Sequence, residues 1–198
     1  MDMLIVAGFL GSGKTTLVLS LIGKIIEKTG KKVVVIVNDF GTVGIDGKVM
    51  SRYGLQVKEL ASGCICCTLG PDLLQTVMDV EQGFAPDLIV VEPTGVADPD
   101  AIVQCMKHYA GGPVAIRSAV IVDASRFKVI AKALGRPLTS QVRTADLILI
   151  NKMDTVDVPA LEEMEKALRA MNATKPIIPI SATVGTNVDQ VVEALVGP

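Results

Sequence analysis

Hydrophobic residues in this chain fall into short runs, most of them the length of a buried strand. Met3-Leu4-Ile5-Val6-Ala7 is the first, followed by Lys32 to Val37, Asp87 to Glu92, Ser118 to Val122, Ala145 to Ile150 and Pro176 to Ile180. Leu55 to Leu60 alternates apolar and polar positions and predicts a further strand. Between these runs the period lengthens. Leu17, Leu21, Ile25 and Ile26 recur at helical spacing, and that helix is expected to stop at Gly30, a natural C′ residue. Further helices are predicted from Pro71 to Gln82, with Gly83 as the stop, from Asp98-Pro99 onward, through a basic amphipathic stretch ending at Leu134, and from Asn187 to Leu195. The basic stretch reads as a solvated face. Strands alternating with helices predict an α/β fold: a doubly wound, mostly parallel sheet with helices on both faces.

Composition narrows the picture. A length of 198 residues predicts one domain, 1–198. Half the residues are hydrophobic (49%) but only 3% are aromatic and none is Trp, which suits parallel strands rich in Val, Ile and Leu. No apolar run approaches the roughly 18 to 20 residues of a membrane span, and the N-terminus carries no basic leader. A cytoplasmic protein with no membrane partner is expected. A net charge of −2 and the lack of a basic cluster exclude a nucleic-acid surface.

The strongest local pattern is Gly8-Phe9-Leu10-Gly11-Ser12-Gly13-Lys14-Thr15-Thr16, which fits G-x-x-x-x-G-K-[ST] between a strand and a helix. Gly8, Gly11 and Gly13 let backbone N–H groups curl around phosphate oxygens, and the helix starting near Thr15 points its positive end at the same anion. Lys14 would reach the β/γ-phosphates and the Thr15 hydroxyl would ligate Mg²⁺, with Ser12 and Thr16 completing the cradle. Two carboxylates stand at strand ends downstream. Asp39 opens the glycine-containing loop 39–47, and Glu92 closes an apolar strand ahead of Pro93-Thr94-Gly95, a loop suited to sensing a γ-phosphate. Lys14, Asp39 and Glu92 are the candidate catalytic residues.

Asn151-Lys152-Met153-Asp154 follows another buried run and reads as a base-recognition motif. Asp154 can accept hydrogen bonds from guanine N1–H and the 2-amino group, whereas adenine offers neither donor. Lys152 can lie along the base, the Asn151 amide can tie this loop to the phosphate loop, and the amides of Ser181-Ala182-Thr183 can contact guanine O6. GTP or GDP with Mg²⁺ is therefore expected. A small-molecule phosphotransferase is the competing enzyme class, because the phosphate loop also serves kinases; Asp154 argues against it.

Three of the four cysteines lie in Cys64-Ile65-Cys66-Cys67. Such spacing is no disulfide framework and reads as reduced thiols. An extended Cys64 to Cys66 puts two thiolates on one face and a turn brings Cys67 to the same ion. Three soft ligands suit Zn²⁺, Co²⁺, Ni²⁺ or Cu⁺ and leave an exchangeable position. Cys105 reads as a small core residue on a helix and His108 as a surface residue.

On Gly8 to Thr16, Asn38-Asp39-Phe40-Gly41 with Gly44-Ile45-Asp46, Glu59-Leu60, Gly63 to Cys67, Glu92-Pro93-Thr94-Gly95, Val122-Asp123-Ala124 and Asn151 to Asp154, the chain resembles the CobW-like family of P-loop metallochaperone GTPases. The resemblance implies a GTP-hydrolysing protein that escorts a transition metal, Zn²⁺ or Co²⁺ first and Ni²⁺ next, to a metalloenzyme or corrinoid client, with Asp39 and Glu92 near Mg²⁺. A homodimer is a further expectation, as is the absence of the family's C-terminal domain. Asp39 and Thr42 stand where the family often has Glu, and Pro93 where Ser or Thr is common. The alternative is a nucleotide-controlled binding switch that docks on such a client without transferring metal.

Overall fold

The computed structural model describes residues 1–37, 56–59, 69–107 and 112–196. Asp39, Cys64, Cys66, Cys67 and His108 lie outside these residues. In β1 (Asp2–Gly8), successive side chains point to opposite faces and both sets are apolar: Leu4 and Val6 enter one core, Met3 and Ile5 another. A strand buried on both faces needs helices on both, and the chain supplies them. The sheet contains β1, β2 (Val33–Val37), β3 (Gln56–Glu59), β4 (Leu88–Glu92), β5 (Ile116–Asp123), β6 (Leu147–Asn151) and β7 (Ile177–Pro179). Their order is β3-β2-β4-β1-β5-β6-β7, and every pairing is parallel.

On one face lie α1 (Lys14–Thr29) and α7 (Val188–Val196), where Leu17, Leu21 and Ile25 meet Val191 and Leu195 over Leu4, Val35 and Val90. On the other, α2 (Leu69–Phe84) and α3 (Pro99–Lys107) cover Ile5, Ile36 and Ile89 with Leu73, Val77, Ile102 and Met106. The same face continues over β5 and β6 with α4 (Phe127–Ala133), α5 (Gly135–Thr144) and α6 (Val158–Met171), through Phe127, Leu138, Val142, Met164 and Leu168. This is the doubly wound P-loop fold that the alternation predicts. Among the described residues no helix is long and apolar enough to cross a membrane.

Helix α1 stops as expected: Gly30 adopts φ 67° and its N–H bonds Ile26 O. The basic stretch forms the expected amphipathic helix with a solvated face, capped at Leu134. A 3-10 turn (Ala124–Arg126) leads into α4, whose Phe127 is buried while Lys128 and Lys132 face solvent. A second helix, α5, then follows. Pro137 falls in its first turn, where the missing N–H has no intrahelical partner to lose. Cys105 sits partly buried on α3 against the second core, and burial pushes its thiol above the ordinary value.

Candidate nucleotide site

Because all the strands run parallel, their C-terminal ends meet at one edge, and the polar residues that terminate them converge there. Gly8 ends β1, Glu92 ends β4, Asp123 ends β5, Asn151 ends β6, and Ser181 follows β7. A cleft of about 940 Å³ opens at that edge, lined by the 9–16 loop, Glu92 to Val96, Arg126, Asn151, Lys152, Asp154, Ser181 and Thr183. A smaller recess, about 180 Å³ beside Asp2, Lys31 and Arg117, holds cations already engaged: Lys31 Nζ is 2.8 Å from Asp2 Oδ2 and Arg117 donates to Leu195 O.

The phosphate-loop sequence folds as its glycines require. Gly13 precedes α1 at φ 95° and a Cβ there would overlap the Asn151 side chain. No side chain caps α1 and its first turn carries no acid of its own, so the positive end of the helix faces the cleft, with the Glu92 carboxylate at its Thr15 hydroxyl. Lys14 is buried, with Nζ 3.5 Å from Phe9 O. Burial lowers its pKa, and the nearby Glu92 carboxylate opposes that shift. Glu92 is equally buried. Desolvation raises its pKa, while the Thr15 hydroxyl, donating to Oε1 at 2.7 Å, and Lys14 pull it down. Thr15 and Glu92, far apart in sequence, are thus in contact.

On the other side of the loop, Asn151 works as a clamp. Its Nδ2 donates to Ser12 O at 2.8 Å and its Oδ1 accepts from the Ala182 amide at 2.9 Å. Lys152, at φ 64°, donates from Nζ to Gly11 O at 2.9 Å and to Asp123 Oδ2 at 2.7 Å. Asp154 is exposed at the cleft mouth. The Ser181 amide donates to Thr186 O and the Ala182 amide to Asn151, so two of the three amides expected to meet a base are engaged within the protein. Thr16 is exposed beside the loop.

Asp123 was not among the expected site residues and proves central. Its fully buried carboxylate accepts from Ser125 N and Oγ, Arg126 Nε at 2.8 Å and Lys152 Nζ. Burial alone raises its pKa; the bonds from Lys152, Ser125 and Arg126 outweigh that and bring it to about 2. Arg126, also not singled out, donates from Nη2 to Leu10 O at 2.6 Å. Beyond its place in the Val122-Asp123-Ala124 stretch, the sequence signal for Asp123 is an acid ending an apolar strand, the pattern that marks Glu92. Gln141, on α5, carried no signal at all.

Among the described residues, four buried side-chain polar atoms lack a partner: Ser12 Oγ, Glu92 Oε2, Thr94 Oγ1 and Gln141 Oε1. Glu92 and Thr94 line the cleft, Ser12 lies in the phosphate loop behind it, and Gln141 bonds its wall. An orphaned carboxylate oxygen beside a threonine hydroxyl is a hard-oxygen donor set that fits Mg²⁺. No group of His, Cys, Asp and Glu suited to a metal ion occurs among the described residues.

Sheet, glycine loop and lysine together define a P-loop nucleoside-triphosphate-binding domain. Residues 2–179 match the family model described as CobW/HypB/UreG, nucleotide-binding domain, and the chain belongs to that family. It is similar to the zinc chaperone YjiA of Escherichia coli (strain K12), 32% identical over 191 residues, covering 89% of this chain and 56% of that protein. The zinc chaperone CobW of Sinorhizobium sp is 29% identical over 202 residues, covering 87% and 56%. The chain therefore spans little more than half the length of these relatives. In structure it resembles Zn(II)-bound YjiA GTPase from E. coli, with a TM-score of 0.67 and 27% identity over 89% of this chain and 56% of that one. The hydrogenase maturation factor HypB from Archaeoglobus fulgidus shares the fold, with a TM-score of 0.72 at 21% identity, covering 100% and 89%.

Proposed function

We propose that this chain is the GTP-binding and GTP-hydrolysing domain of a metallochaperone. The observation that carries the nucleotide reading is the Asn151–Lys152 clamp: two side chains of the base-recognition motif are hydrogen-bonded to carbonyls of Ser12 and Gly11. Such bonding fixes base and phosphates at one spacing, which is what selection of a whole nucleotide needs. Asp154, exposed at the mouth, selects guanine by accepting from N1–H and the 2-amino group. From the 181–183 loop, the remaining amide, Thr183, is the one to meet O6.

At the phosphate end, the α1 amides and Lys14 bind the β/γ-phosphates; the depressed lysine pKa reflects a cation whose burial is costly until an anion arrives. Thr15 and Glu92 hold Mg²⁺, directly or through its water, and Asp39 joins them from outside the described residues. Bound there, Mg²⁺ would neutralise charge developing on the phosphates. Thr94 and Gly95 face the terminal phosphate, and hydrolysis with water yields GDP and phosphate.

Cys64, Cys66 and Cys67 bind the cargo metal. The motif's three thiolates and the zinc chaperone names of two relatives support Zn²⁺ first, with Co²⁺ or Ni²⁺ as competitors for the same thiolates. The client is a metalloenzyme or corrinoid protein, met by the chain alone or as a homodimer. Titration with Zn²⁺ in the presence of Mg²⁺ and either GDP or a non-hydrolysable GTP analogue tests this reading. One thiolate-bound metal per chain, lost in the Cys66→Ser variant, and selective binding of guanine nucleotides are expected; equal ATP and GTP affinities would refute the GTPase assignment, and metal retained unchanged by the serine variant would refute the cargo site.

A further inference from the structure

Gln141 is 1% exposed on α5, between the core residues Leu138 and Val142. Its side chain faces the loop that follows β4. Nε2 donates to Gly95 O at 3.2 Å and to Ala97 O at 2.8 Å, while Oε1 is buried without a partner. Two carbonyls facing one amide require its NH2 end there, which uses both donors and leaves the acceptor empty. The loop so held is a tight turn, with Ala97 N–H on Thr94 O at 3.0 Å. Gly95 rests directly on the phosphate loop: a Cβ at Gly95 would come within 2.6 Å of Leu10 N. A second tether lies outside the core, where Ser140 Oγ donates to Asp98 Oδ2 at 2.9 Å.

A buried glutamine with half its capacity unused is a costly choice for packing, where leucine or methionine would fill the same space. Its value lies in the two carbonyls it fixes. From these contacts we propose that Gln141 is a positioning residue for the terminal phosphate: by holding the 95 and 97 carbonyls against α5, it keeps Thr94 and Gly95 pressed on the phosphate loop. This rests on the nucleotide reading above and adds to it a determinant of triphosphate over diphosphate. Gln141 itself touches no nucleotide. It acts through the turn, whose Thr94 hydroxyl is buried without a partner.

The test measures affinities for fluorescent GDP and a fluorescent non-hydrolysable GTP analogue, with Mg²⁺, in the parent protein, Gln141→Met, Gln141→Glu and Ser140→Ala, with thermal unfolding as a check on folding. Gln141→Met removes both donors at nearly constant size, and Gln141→Glu leaves at most one, the O–H of a protonated carboxyl. Affinity for the triphosphate should fall by about tenfold, the scale of one or two lost hydrogen bonds, while that for GDP stays within about twofold. Ser140→Ala, which loosens the same turn from its exposed end and leaves the core intact, should shift the ratio in the same direction and carries the test if the core variants unfold. A ratio unchanged in the folded variants, or equal losses for both nucleotides, would overturn the proposal and leave Gln141 as structural. A parent protein that binds neither nucleotide would overturn the nucleotide reading and this proposal with it.

Discussion

Around Asn151 the polar groups have found protein partners, whereas around Glu92 the partners run out. Asn151 uses both ends of its amide, Lys152 bonds two acceptors, and Asp123 collects donors from three residues. The four unpartnered buried atoms all lie towards the phosphate loop, β4 and its following turn. An unmade buried hydrogen bond costs about 1 to 3 kcal/mol, so the difference is energetic as well as geometric. The base side is cross-linked by hydrogen bonds within the protein, whereas the phosphate side keeps buried oxygens that an anion, Mg²⁺ or its waters can bond. On the proposed reading, such a division would let one half recognise the nucleotide and the other report its phosphorylation state.

The largest effect should follow from breaking the phosphate side. Lys14→Ala removes its buried cation, and hydrolysis should fall by about 3 to 4 kcal/mol of transition-state stabilisation, measured as kcat/KM for GTP, with thermal unfolding as the check that the variant is folded. Unchanged turnover would detach Lys14 from the chemistry.

Breaking the base side should act first on stability. Asp123→Asn leaves Lys152 and Arg126 without their shared anion, and unfolding should become easier by roughly 3 kcal/mol, with GDP and GTP weakened alike. The parent protein should show the matching pH dependence. The folded pKa of Asp123, about 2, lies below the ordinary aspartate value of 3.8, so its stabilisation is fully present above that ordinary value and is lost as pH falls towards 2. That loss amounts to about 2 kcal/mol, and the asparagine variant should lack it. Denaturant unfolding between pH 2 and 5 measures both. Next in size is Asp154→Asn, which replaces an acceptor with a donor: GTP should weaken by about 2 kcal/mol and xanthosine triphosphate should gain, with the GTP/GDP ratio unmoved because the base is common to both.

Much of this division was legible in the sequence. Apolar runs ending in Gly8, Glu92 and Asn151 placed the strands, and parallel topology brought their ends together. The tie from Asn151 to the phosphate loop was expected and is made. What escaped was tertiary. Asp123 gains its role from Lys152 and Arg126, distant or inconspicuous in the chain, and α5 hides behind Gly135, Pro137 and a run of Thr, Ser and Gln whose apolar signal is only Leu138 and Val142. A buried glutamine looks, in sequence, like any polar surface residue. Asp39 and the Cys64 to Cys67 cluster lie outside the described residues, and their roles rest on the sequence.

Arg126 offers the smallest and sharpest probe of the comparison, because it touches both halves. Its Nε binds Asp123 Oδ2 on the base side and its Nη2 binds Leu10 O at the tip of the phosphate loop. It is also 45% exposed, so solvent can replace part of what it provides. In Arg126→Ala, Asp123 keeps Lys152 and both Ser125 donors, so the carboxylate is not stranded as Lys152 and Arg126 are in Asp123→Asn. The stability loss should be only about 1 kcal/mol. The consequence for nucleotide is more telling. If the base side is held by Asn151 and Lys152 independently of the loop tip, freeing Leu10 should alter triphosphate and diphosphate affinities unequally, since Leu10 is the backbone on which Gly95 rests. Equal small losses for both nucleotides would mean that the loop tip belongs to the cross-linked half and that the boundary runs nearer to Glu92.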